Sequence, residues 1–398
     1  MRITLVAIYD LYSYGIRGIH ATLAKNGHEV KSIFFKSSTY EDNHYLPEEV
    51  DGLVELIVST EPQLIGIGVR SPLFPLFKEL SEKLRTLLTS AKILVGGHHA
   101  LAAPESFLSY ADFICMGEGE EIAKELCHEL DVSIRGIYPN PPAPQIQNLD
   151  AVEFGYYGDD CIYYLSTEPK DETRMSIYAC RGCFFNCAFC FEEILKKHYD
   201  HYKVRRKSVG RVMQEIKRYQ GMFPKLEEIV FSDQNFTWGI DWIDEFCKKF
   251  SKTGLKFRCF GHVSLATEEM LKKLRDAGLH IISFGVESGS PQLRKLYNRK
   301  ESLLKTIKLS EIIVKLGIQP RFDFIVNNPF ETLEDWQETK KFINRLARPC
   351  VIRNFDLRFF PASPLTKYAL KQRIITEENI EGNMDCKFGN WCFNYELY

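Results

Sequence analysis

Short apolar segments alternate with amphipathic helical segments along the first 130 residues, and this alternation constrains the fold more than any other feature. The apolar segments have no polar face, which is typical of strands buried on both sides of a parallel sheet. Such an order predicts a doubly wound α/β domain whose helices cover both faces of the sheet. Its predicted strands are 3–8, 30–35, 64–69, 93–95 and 113–115, and the predicted helices between them include 17–26 and 76–88.

A second alternation begins at Met175 and continues through most of the remaining chain. Six strands, each followed by a helix, suit a partial (β/α)6 barrel in which the carboxyl ends of the strands meet at one mouth. The predicted strands cover 176–179, 228–231, 256–260, 281–286, 321–326 and 354–359. The predicted helices cover 206–219, 240–252, 267–277, 302–315 and 332–345.

A proline-rich stretch separates the two alternations. Four prolines fall within six positions between Pro139 and Pro144, which indicates a stiff extended linker. We therefore expect a domain over residues 1–133, a linker over 134–170, a barrel over 171–362 and a C-terminal tail over 363–398.

The overall composition argues against several classes of protein. Lys and Arg number 51 against 53 Asp and Glu, and the formal net charge of −2 disfavours a general binder of polyanions such as RNA. No apolar run approaches the roughly 20 residues that a membrane-spanning helix needs. The N-terminus resembles a strand and has no signal-peptide cleavage site. We therefore expect a cytoplasmic protein with no membrane partner, and we rank a nucleic-acid-modifying enzyme below the alternatives given later.

Four of the 12 cysteines crowd between Cys180 and Cys190, after the first predicted barrel strand. Of these, Cys183, Cys187 and Cys190 have a three-then-two spacing that places three thiolates around one short loop. Structural zinc usually takes four ligands in two separated pairs, and only His198, on a charged helix, lies near. A [4Fe–4S] cubane held by three thiolates leaves one iron open to a small bidentate ligand. The spacing therefore favours a [4Fe–4S] cluster over zinc.

This loop, with Phe189 before its last cysteine, resembles the signature of the radical S-adenosylmethionine (SAM) family, and the preceding Arg181 and Gly182 resemble its cobalamin-binding branch. The resemblance implies that the open iron binds the amino and carboxylate groups of SAM, with Phe189 among the SAM contacts. It also implies that one electron from a donor such as flavodoxin or ferredoxin cleaves SAM to a 5′-deoxyadenosyl radical. Cys180 stands where the family commonly has serine, so we expect it not to bind the cluster.

The resemblance continues at the carboxyl ends of the barrel strands, where sites of this fold form. It implies that Asp233 and Asn235, after the second strand, orient the SAM amino group. It implies that Glu287 and Ser288, after the fourth strand, contact the ribose and carboxylate of SAM. Asp233 and Glu287 could alternatively cap the helices that follow them. Asn327, after the fifth strand, replaces the glycine usual in the family.

Glycine-containing loops follow several strands of the predicted N-terminal sheet, at the edge where doubly wound domains bind ligands. Glycine lets the backbone approach a bulky ligand closely. Taken in order, these loops resemble the cobalamin-binding domain, in which the nucleotide tail of cobalamin lies beside the sheet. The cobalamin-binding residues that the resemblance implies are Asp10, Tyr12, Gly15, Arg70, Ser71, Leu73, Gly96, Gly97, His98, Gly117, Glu118 and Gly119.

Tyr12 departs from the family pattern, because it stands where a histidine would ligate cobalt from below. A neutral phenol, with an unperturbed pKa of about 10, is a poor cobalt ligand at neutral pH. We therefore expect cobalamin to bind with its dimethylbenzimidazole detached and without a histidine ligand. Arg70 could approach this lower face or form a surface salt bridge. His98 and His99 could ligate cobalt, or could serve packing and hydrogen bonding.

These features predict a cobalamin-dependent radical SAM methyltransferase. The family implies methyl transfer from methylcobalamin to an unactivated carbon of a small-molecule or peptide substrate. The first alternative is a cyclase or rearrangement enzyme of the same branch, and the second is a non-catalytic cobalamin or iron–sulfur sensor, against which the intact cysteine motif argues. The tail is short for the family, so the natural chain can continue past Tyr398.

Overall fold

The computed structural model describes residues 1–36, 45–128, 135–140, 142–165, 173–377 and 380. The chain divides into two compact units. The first contains the described residues of Met1–Lys170, Cys190–Lys203 and Phe359–Asp385, and the second contains those of Asp171–Phe189 and Val204–Arg358.

A parallel β-sheet forms the centre of the first unit. Its strands are β1 (Arg2–Ile8), β2 (Glu29–Phe35), β3 (Leu64–Gly68), β4 (Lys92–Gly96), β5 (Phe113–Cys115), β6 (Gly136–Tyr138) and β7 (Cys161–Tyr164). They lie in the order β6-β5-β4-β3-β1-β2-β7. Because the chain extends the sheet first on one side of β1 and then on the other, the topological switch lies between β1 and β3. Ligands of doubly wound sheets bind beside such a switch, outside the carboxyl ends of the strands.

Helices cover both faces of this sheet. They are α1 (Tyr14–Lys25), α2 (Pro47–Ser59), α3 (Phe74–Leu87), α4 (His98–Ala102), α5 (Gly119–His128) and the later α6 (Glu192–His198). Successive residues of a strand point to opposite faces. Val6 and Ile8 of β1 therefore join one core with α2 and α3, whereas Leu5 and Ala7 join a second core with α1 and α5. The predicted doubly wound domain is confirmed.

The expected linker differs from the structure, because β6 and β7 both fall within it and pair with β5 and β2 at the two edges of the sheet. A three-residue and a four-residue strand are too short to show a hydrophobic period. Edge positions also tolerate neighbouring prolines such as Pro139, which follows β6. Of the four prolines, Pro141 lies outside the described residues.

A buried arginine ties the β7 edge to the first loop of the unit. Arg17 of α1 is 2% exposed, and its guanidinium donates to the carbonyl oxygens of Leu11 at 2.8 Å and Tyr156 at 3.0 Å. It also donates to the Tyr163 hydroxyl at 2.9 Å and lies 4.1 Å from the Phe34 ring centroid. These contacts join segments more than 130 residues apart in sequence, which no local pattern could reveal.

The second unit contains the predicted partial barrel. Its strands are β8 (Arg174–Ile177), then the short antiparallel pair β9 (Cys180–Arg181) and β10 (Arg205–Arg206), and then β11 (Glu228–Phe231), β12 (Lys256–Gly261), β13 (Leu279–Glu287), β14 (Gln319–Val326) and β15 (Val351–Asp356). The parallel strands lie in the order β15-β14-β13-β12-β11-β8, which confirms the predicted arrangement. The last strand ends three residues before its predicted end, at Asp356.

Helices alternate with the parallel strands of this sheet. They are α7 (Val209–Met222), α8 (Ile240–Phe250), α9 (Glu268–Ala277), α10 (Pro291–Leu296), α11 (Leu303–Lys315) and α12 (Leu333–Ile343), and a further helix, α13 (Pro364–Lys371), belongs to the first unit. Side-chain oxygens fix several helix starts by accepting a backbone N–H three residues later. The capping residues are Ser208, Thr267, Ser302 and Thr332.

The two faces of the barrel strands differ in polarity. Phe257 of β12 packs against Phe250 of α8, with ring centroids 4.9 Å apart, whereas its neighbour Arg258 points to the opposite face and bonds to Glu228. Glu228 also accepts from Arg174 at 2.6 Å. Burial opposes ionisation of Glu228, but hydrogen bonds from His280, Arg258 and Arg174 outweigh it and lower its pKa to about 2. A charged layer therefore fills this end of the barrel interior.

No helix among the described residues is long and apolar enough to cross a membrane. Of the predicted tail, residues 363–377 and 380 are described, and Cys386 and Cys392 lie outside the described residues.

Candidate functional site

A cavity of about 230 Å³ opens beside the switch point of the first unit, between the ends of β3, β4 and β5 and helices α1 and α5. Its walls are glycine and apolar side chains, with Ser13 as a polar member. The cavity brings together predicted cobalamin residues from three separate loops: Gly15, Gly96, Gly97, Gly117 and Gly119. Two further lining residues, Gly66 and Gly68, were not predicted from sequence, although two glycines two positions apart on one strand leave a gap on a single face.

The missing side chains create this cavity. A Cβ added at Gly68 would meet Ile16 Cδ1 at 3.7 Å, and one at Gly96 would meet Cys115 Cβ at 3.5 Å, both ordinary contacts. Gly97 differs, since its φ is +93° and a Cβ there would lie 3.0 Å from the Val69 carbonyl oxygen. A narrow apolar slot whose glycine positions carry no side chains fits a flat aromatic base, and the dimethylbenzimidazole tail of cobalamin is such a group.

The loop that follows β1 is held by its own carboxylate. Asp10 accepts hydrogen bonds from the backbone of Tyr12 and the hydroxyl of Ser13, which sets the start of α1. Burial raises the pKa of Asp10, although the Arg70 guanidinium opposes this shift. The Tyr12 side chain is 45% exposed. The predicted Asp10 and Tyr12 therefore sit at the carboxyl edge of β1, with Arg70 beside them.

The loop after β3 uses Arg70 and Ser71 differently from the expectation. Arg70 Nη2 donates to the Tyr9 carbonyl at 2.8 Å, rather than forming a surface salt bridge with a described residue. Ser71 Oγ bonds to His99 Nδ1 at 3.0 Å, and Leu73 is 2% exposed within the core. These contacts fix the loop to the sheet and to α4.

The two adjacent histidines have different environments. His99 is 1% exposed, bonds through its two ring nitrogens to Ser71 and to Ser106 at 3.2 Å, and has its pKa lowered to about 4 by burial. His99 therefore serves packing and hydrogen bonding, as one of the two hypotheses proposed. The His98 ring packs at a tilt of 56° against Phe191, with ring centroids 4.2 Å apart, and desolvation and the Arg70 charge lower its pKa to about 4.

The last predicted cobalamin loop is fixed by Glu118. Its Oε2 accepts the backbone N–H of Ile146 at 2.6 Å, so it holds the segment between β6 and β7. The neighbouring Gly117 has a φ of +149°, and a Cβ there would lie 3.1 Å from Ile122 Cδ1. The loop geometry therefore requires glycine at this position.

The cysteine loop is held by hydrogen bonds from the segment that follows α10. Cys187 is 8% exposed, and its Sγ accepts from Arg299 Nη1 at 3.2 Å. Burial raises the pKa of the Cys187 thiol, and the Arg299 guanidinium opposes that rise. Asn298 Nδ2 donates to the Asn186 carbonyl at 2.6 Å, and the Phe189 ring meets Tyr297 edge-on at 5.4 Å. The segment after α10 was not predicted to contact this loop, because 112 residues separate Arg299 from Cys187.

The donors on this loop fit an iron–sulfur cluster. Cys183 and Cys190 are partly exposed, and a cationic hydrogen-bond donor faces the buried Cys187 sulfur. Hydrogen bonds to ligand sulfurs are a usual feature of such clusters. In the described ranges, no three His, Cys, Asp or Glu side chains are grouped to hold a single metal ion. A cubane does not need that arrangement, since each thiolate binds a different corner iron.

Asp233 holds the start of the cysteine loop. It is fully buried, and its Oδ1 accepts the backbone N–H of Cys180 at 2.5 Å. Burial raises its pKa to about 6, and the Arg206 guanidinium opposes the rise. Its Oδ2 has no hydrogen-bond partner among the described residues. Helix capping by Asp233 is wrong, because the N-cap of α8 is Gly239.

Asn235 lies in the same buried turn. It is 2% exposed, and its Oδ1 accepts from the backbone N–H and the hydroxyl of Thr237 at 3.1 and 2.9 Å. Within the part of the chain that the structure describes, its Nδ2 has no acceptor. The turn therefore carries one acceptor and one donor that no described residue satisfies.

Glu287 ends β13 in a strained conformation, with a φ of +70°. Burial raises the pKa of its carboxyl to about 7, and Arg299 opposes the rise while Asp323 adds to it. Ser288 is 1% exposed, and its Oγ bonds to Thr339 Oγ1 at 3.1 Å and accepts the Ser290 N–H at 3.0 Å. Helix capping by Glu287 is also wrong, because Ser290 caps α10.

Two known protein families match this chain. The B12 binding domain family matches residues 3–127, and the Radical SAM superfamily matches residues 177–343. An uncharacterized methyltransferase of Pyrococcus horikoshii is 24% identical over 388 residues, which cover 90% of this chain and 79% of that protein. Cytidylyl-2-hydroxyethylphosphonate methyltransferase of Streptomyces wedmorensis is 23% identical over 92% of this chain and 78% of its own length.

The fold is shared with a solved structure. The radical SAM methyltransferase TsrM from Kitasatospora setae, with cobalamin and a [4Fe–4S] cluster bound, superposes with a TM-score of 0.73 at 16% identity, over 93% of this chain and 78% of that one. The two family matches fall one on each sheet, and together they imply three cofactors: cobalamin, SAM and a [4Fe–4S] cluster. This chain therefore joins a B12 binding domain to a domain of the Radical SAM superfamily.

Proposed function

We propose that the protein is a C-methyltransferase that adds a methyl group to an unactivated carbon of a small molecule or peptide. The observation that carries this proposal is the glycine-walled slot of the first unit in the same chain as the three-cysteine loop. The methyltransferase names of the relatives from Pyrococcus horikoshii and Streptomyces wedmorensis support it. When bound, the cluster and SAM supply a hydrogen-abstracting radical and cobalamin supplies the methyl group.

The cysteine loop would hold the cluster through Cys183, Cys187 and Cys190. The guanidinium of Arg299 lies beside the Cys187 sulfur, and its positive charge favours the thiolate over the thiol. Asp233 fixes the backbone at Cys180, where the loop begins. These two contacts fix the loop at its start and at Cys187.

SAM would contact the carboxyl ends of the barrel strands. Glu287 is the best placed of the predicted residues, because its carboxyl lies beside Arg299 and accepts a ribose hydroxyl at either protonation state near neutral pH. The unsatisfied Asn235 Nδ2 and Asp233 Oδ2 are a donor and an acceptor in the adjacent turn. Ser288 is occupied by Thr339 and would act by shaping its loop, and Phe189 would pack beside SAM.

Cobalamin would place its nucleotide tail in the slot, with the carboxyl edge of β1 facing the lower side of cobalt. Tyr12, Arg70 and His98 are the side chains at this edge. Arg70 carries a permanent charge and is already bonded to the Tyr9 carbonyl, so it cannot ligate cobalt. The prediction that no histidine ligates cobalt from below rests on Tyr12, which stands at the position that would supply one.

The partners and compartment follow from the same chemistry. The substrate would be a small molecule or a peptide, and a reduced flavodoxin or ferredoxin would deliver the electron. An iron–sulfur cluster needs cysteines that are not oxidised to disulfides, which suits a reducing compartment such as the cytoplasm.

The experiment is anaerobic turnover with cobalamin, reductant and SAM carrying a trideuterated methyl group. Methyl transfer predicts a substrate product that retains the three deuterium atoms, together with 5′-deoxyadenosine. Cys183→Ala should form neither product and serves as the matched control. Cleavage of SAM with an unmethylated, rearranged product would contradict methyl transfer and favour the cyclase alternative. Absence of SAM cleavage would favour the sensor.

A further inference from the structure

A basic hollow lies on the second unit between α10 and α11. It encloses about 480 Å³ and is lined by four cationic side chains and a single carboxylate. The carboxylate, Glu301, is already paired with Arg299 and lies 3.5 Å from Arg294 Nη2. Lys295 and Lys300 are exposed, and within the described ranges neither of their ammonium groups forms an ion pair or a hydrogen bond. The hollow therefore presents uncompensated positive charge to solvent.

The hollow also has an apolar contact. Leu304 lines it and is 60% exposed, beside the two free lysines. A charged rim around an exposed apolar side chain is the usual composition of a protein contact surface. A small anion would contact only the cationic side chains, whereas a protein partner would also cover the apolar side chain of Leu304.

Two residues that line the hollow contact the loop of a proposed cluster ligand, Cys187. Arg299 lines the hollow, its side chain is 7% exposed, and its Nη1 donates to Cys187 Sγ at 3.2 Å. Asn298, also in the lining, donates to the carbonyl of Asn186, which precedes Cys187. Electron transfer weakens steeply with distance, so a donor must dock where few atoms separate it from the cluster. This surface meets that condition through two hydrogen bonds.

We propose that the basic hollow is the docking surface of an acidic one-electron carrier protein that reduces the cluster. The inference rests on the proposed function, because it needs the cluster on Cys187. The carrier loses one electron, the [4Fe–4S] cluster gains it, and no bond or proton moves in this step. Contacts between redox proteins typically bury less than about 1,200 Å² of surface and depend on charge steering. A small basic surface can therefore serve as such a contact.

The test measures cluster reduction by flavodoxin in stopped flow, with the reconstituted protein and its Lys295→Glu/Lys300→Glu double variant. The variant should be reduced about 10- to 100-fold more slowly at low salt, and the difference should shrink in about 0.5 M salt because screening removes steering. Lys217→Glu/Lys225→Glu is the matched control, since both lysines are exposed and the net charge changes equally. It should stay within about twofold of the parent.

Small reductants separate docking from damage to the site. Dithionite should reduce both double variants at the parent rate, and cationic methyl viologen should not be slowed by the glutamates. A parent-like rate with flavodoxin, or equal slowing in both double variants, would overturn the docking surface while leaving the proposed function intact. Binding of single-stranded RNA is measured on the same proteins. If Lys295→Glu/Lys300→Glu lost RNA binding that the parent shows, while its flavodoxin kinetics were unchanged, the docking surface would be overturned in favour of a nucleic-acid contact. Failure of methyl transfer with the expected kinetics would overturn the proposed function alone.

Discussion

Gly68→Ala should weaken cobalamin binding while leaving the cofactor-free protein at least as stable as the parent. Gly68 ends β3 and lines the 230 Å³ cavity. Its φ lies outside the left-handed region, and a Cβ would meet Ile16 Cδ1 at 3.7 Å, an ordinary contact. The empty fold therefore accepts alanine, and the loss of unfolded-state freedom should add about 0.4–1 kcal/mol to the free energy of unfolding.

The effect on binding has the opposite sign. The new methyl group occupies a wall that the nucleotide tail must approach, and overpacking of a fitted site costs about 1–3 kcal/mol. Since about 1.4 kcal/mol corresponds to a tenfold change, cobalamin should bind about 5- to 150-fold more weakly. Opposite changes in stability and affinity distinguish a filled slot from a damaged fold.

The assay pairs anaerobic hydroxocobalamin titration, followed by absorbance, with denaturant unfolding of the empty protein. Gly18→Ala on α1 is the matched control, because its Cβ would meet Glu120 Oε1 at 3.6 Å and Gly18 does not line the cavity. Gly97 is a poorer test, since its φ of +93° and the nearby Val69 carbonyl would strain any side chain. Parent-like affinity in Gly68→Ala would refute the assignment of the tail to this slot.

Three further predictions follow from the second unit and the cobalt site. Alanine at any of the three predicted cluster ligands should abolish the cluster absorbance and 5′-deoxyadenosine formation, whereas Cys180→Ala should keep both; a normal cluster in any ligand variant would contradict the assignment. Because its folded-state pKa is raised from 3.8 to about 6, Asp233 should make the cluster-free protein lose stability as pH rises from about 4 to 6, by at most roughly 3 kcal/mol. Asp233→Asn should remove this slope in urea unfolding, and parallel slopes would refute the argument. Electron paramagnetic resonance of the cob(II)alamin form should show no splitting from an axial nitrogen. A splitting that is lost in His98→Ala would identify His98 as the ligand. An unchanged spectrum and turnover in Tyr12→Phe would leave Tyr12 a packing residue.

The class of both folds and the cluster motif could be predicted from sequence because they depend on local order. The period of apolar residues distinguishes strands from helices, and the repeated alternation of the two requires parallel sheets. The spacing of Cys183, Cys187 and Cys190 is likewise a local property, since one short loop carries all three. The glycine loops after β1, β4 and β5 could be predicted in the same way, because each follows a recognisable strand.

The tertiary structure alone decided the contacts that hold these segments in place. Gly66 and Gly68 line the slot only because β3 lies between β1 and β4, which depends on strand order rather than on composition. The Arg299–Cys187 hydrogen bond joins residues 112 positions apart, and the Asp233–Cys180 bond joins residues 53 apart. Strands β6 and β7 could not be predicted because such short edge strands gain their stability from the neighbour they pair with, and pairing partners are set by the folded chain.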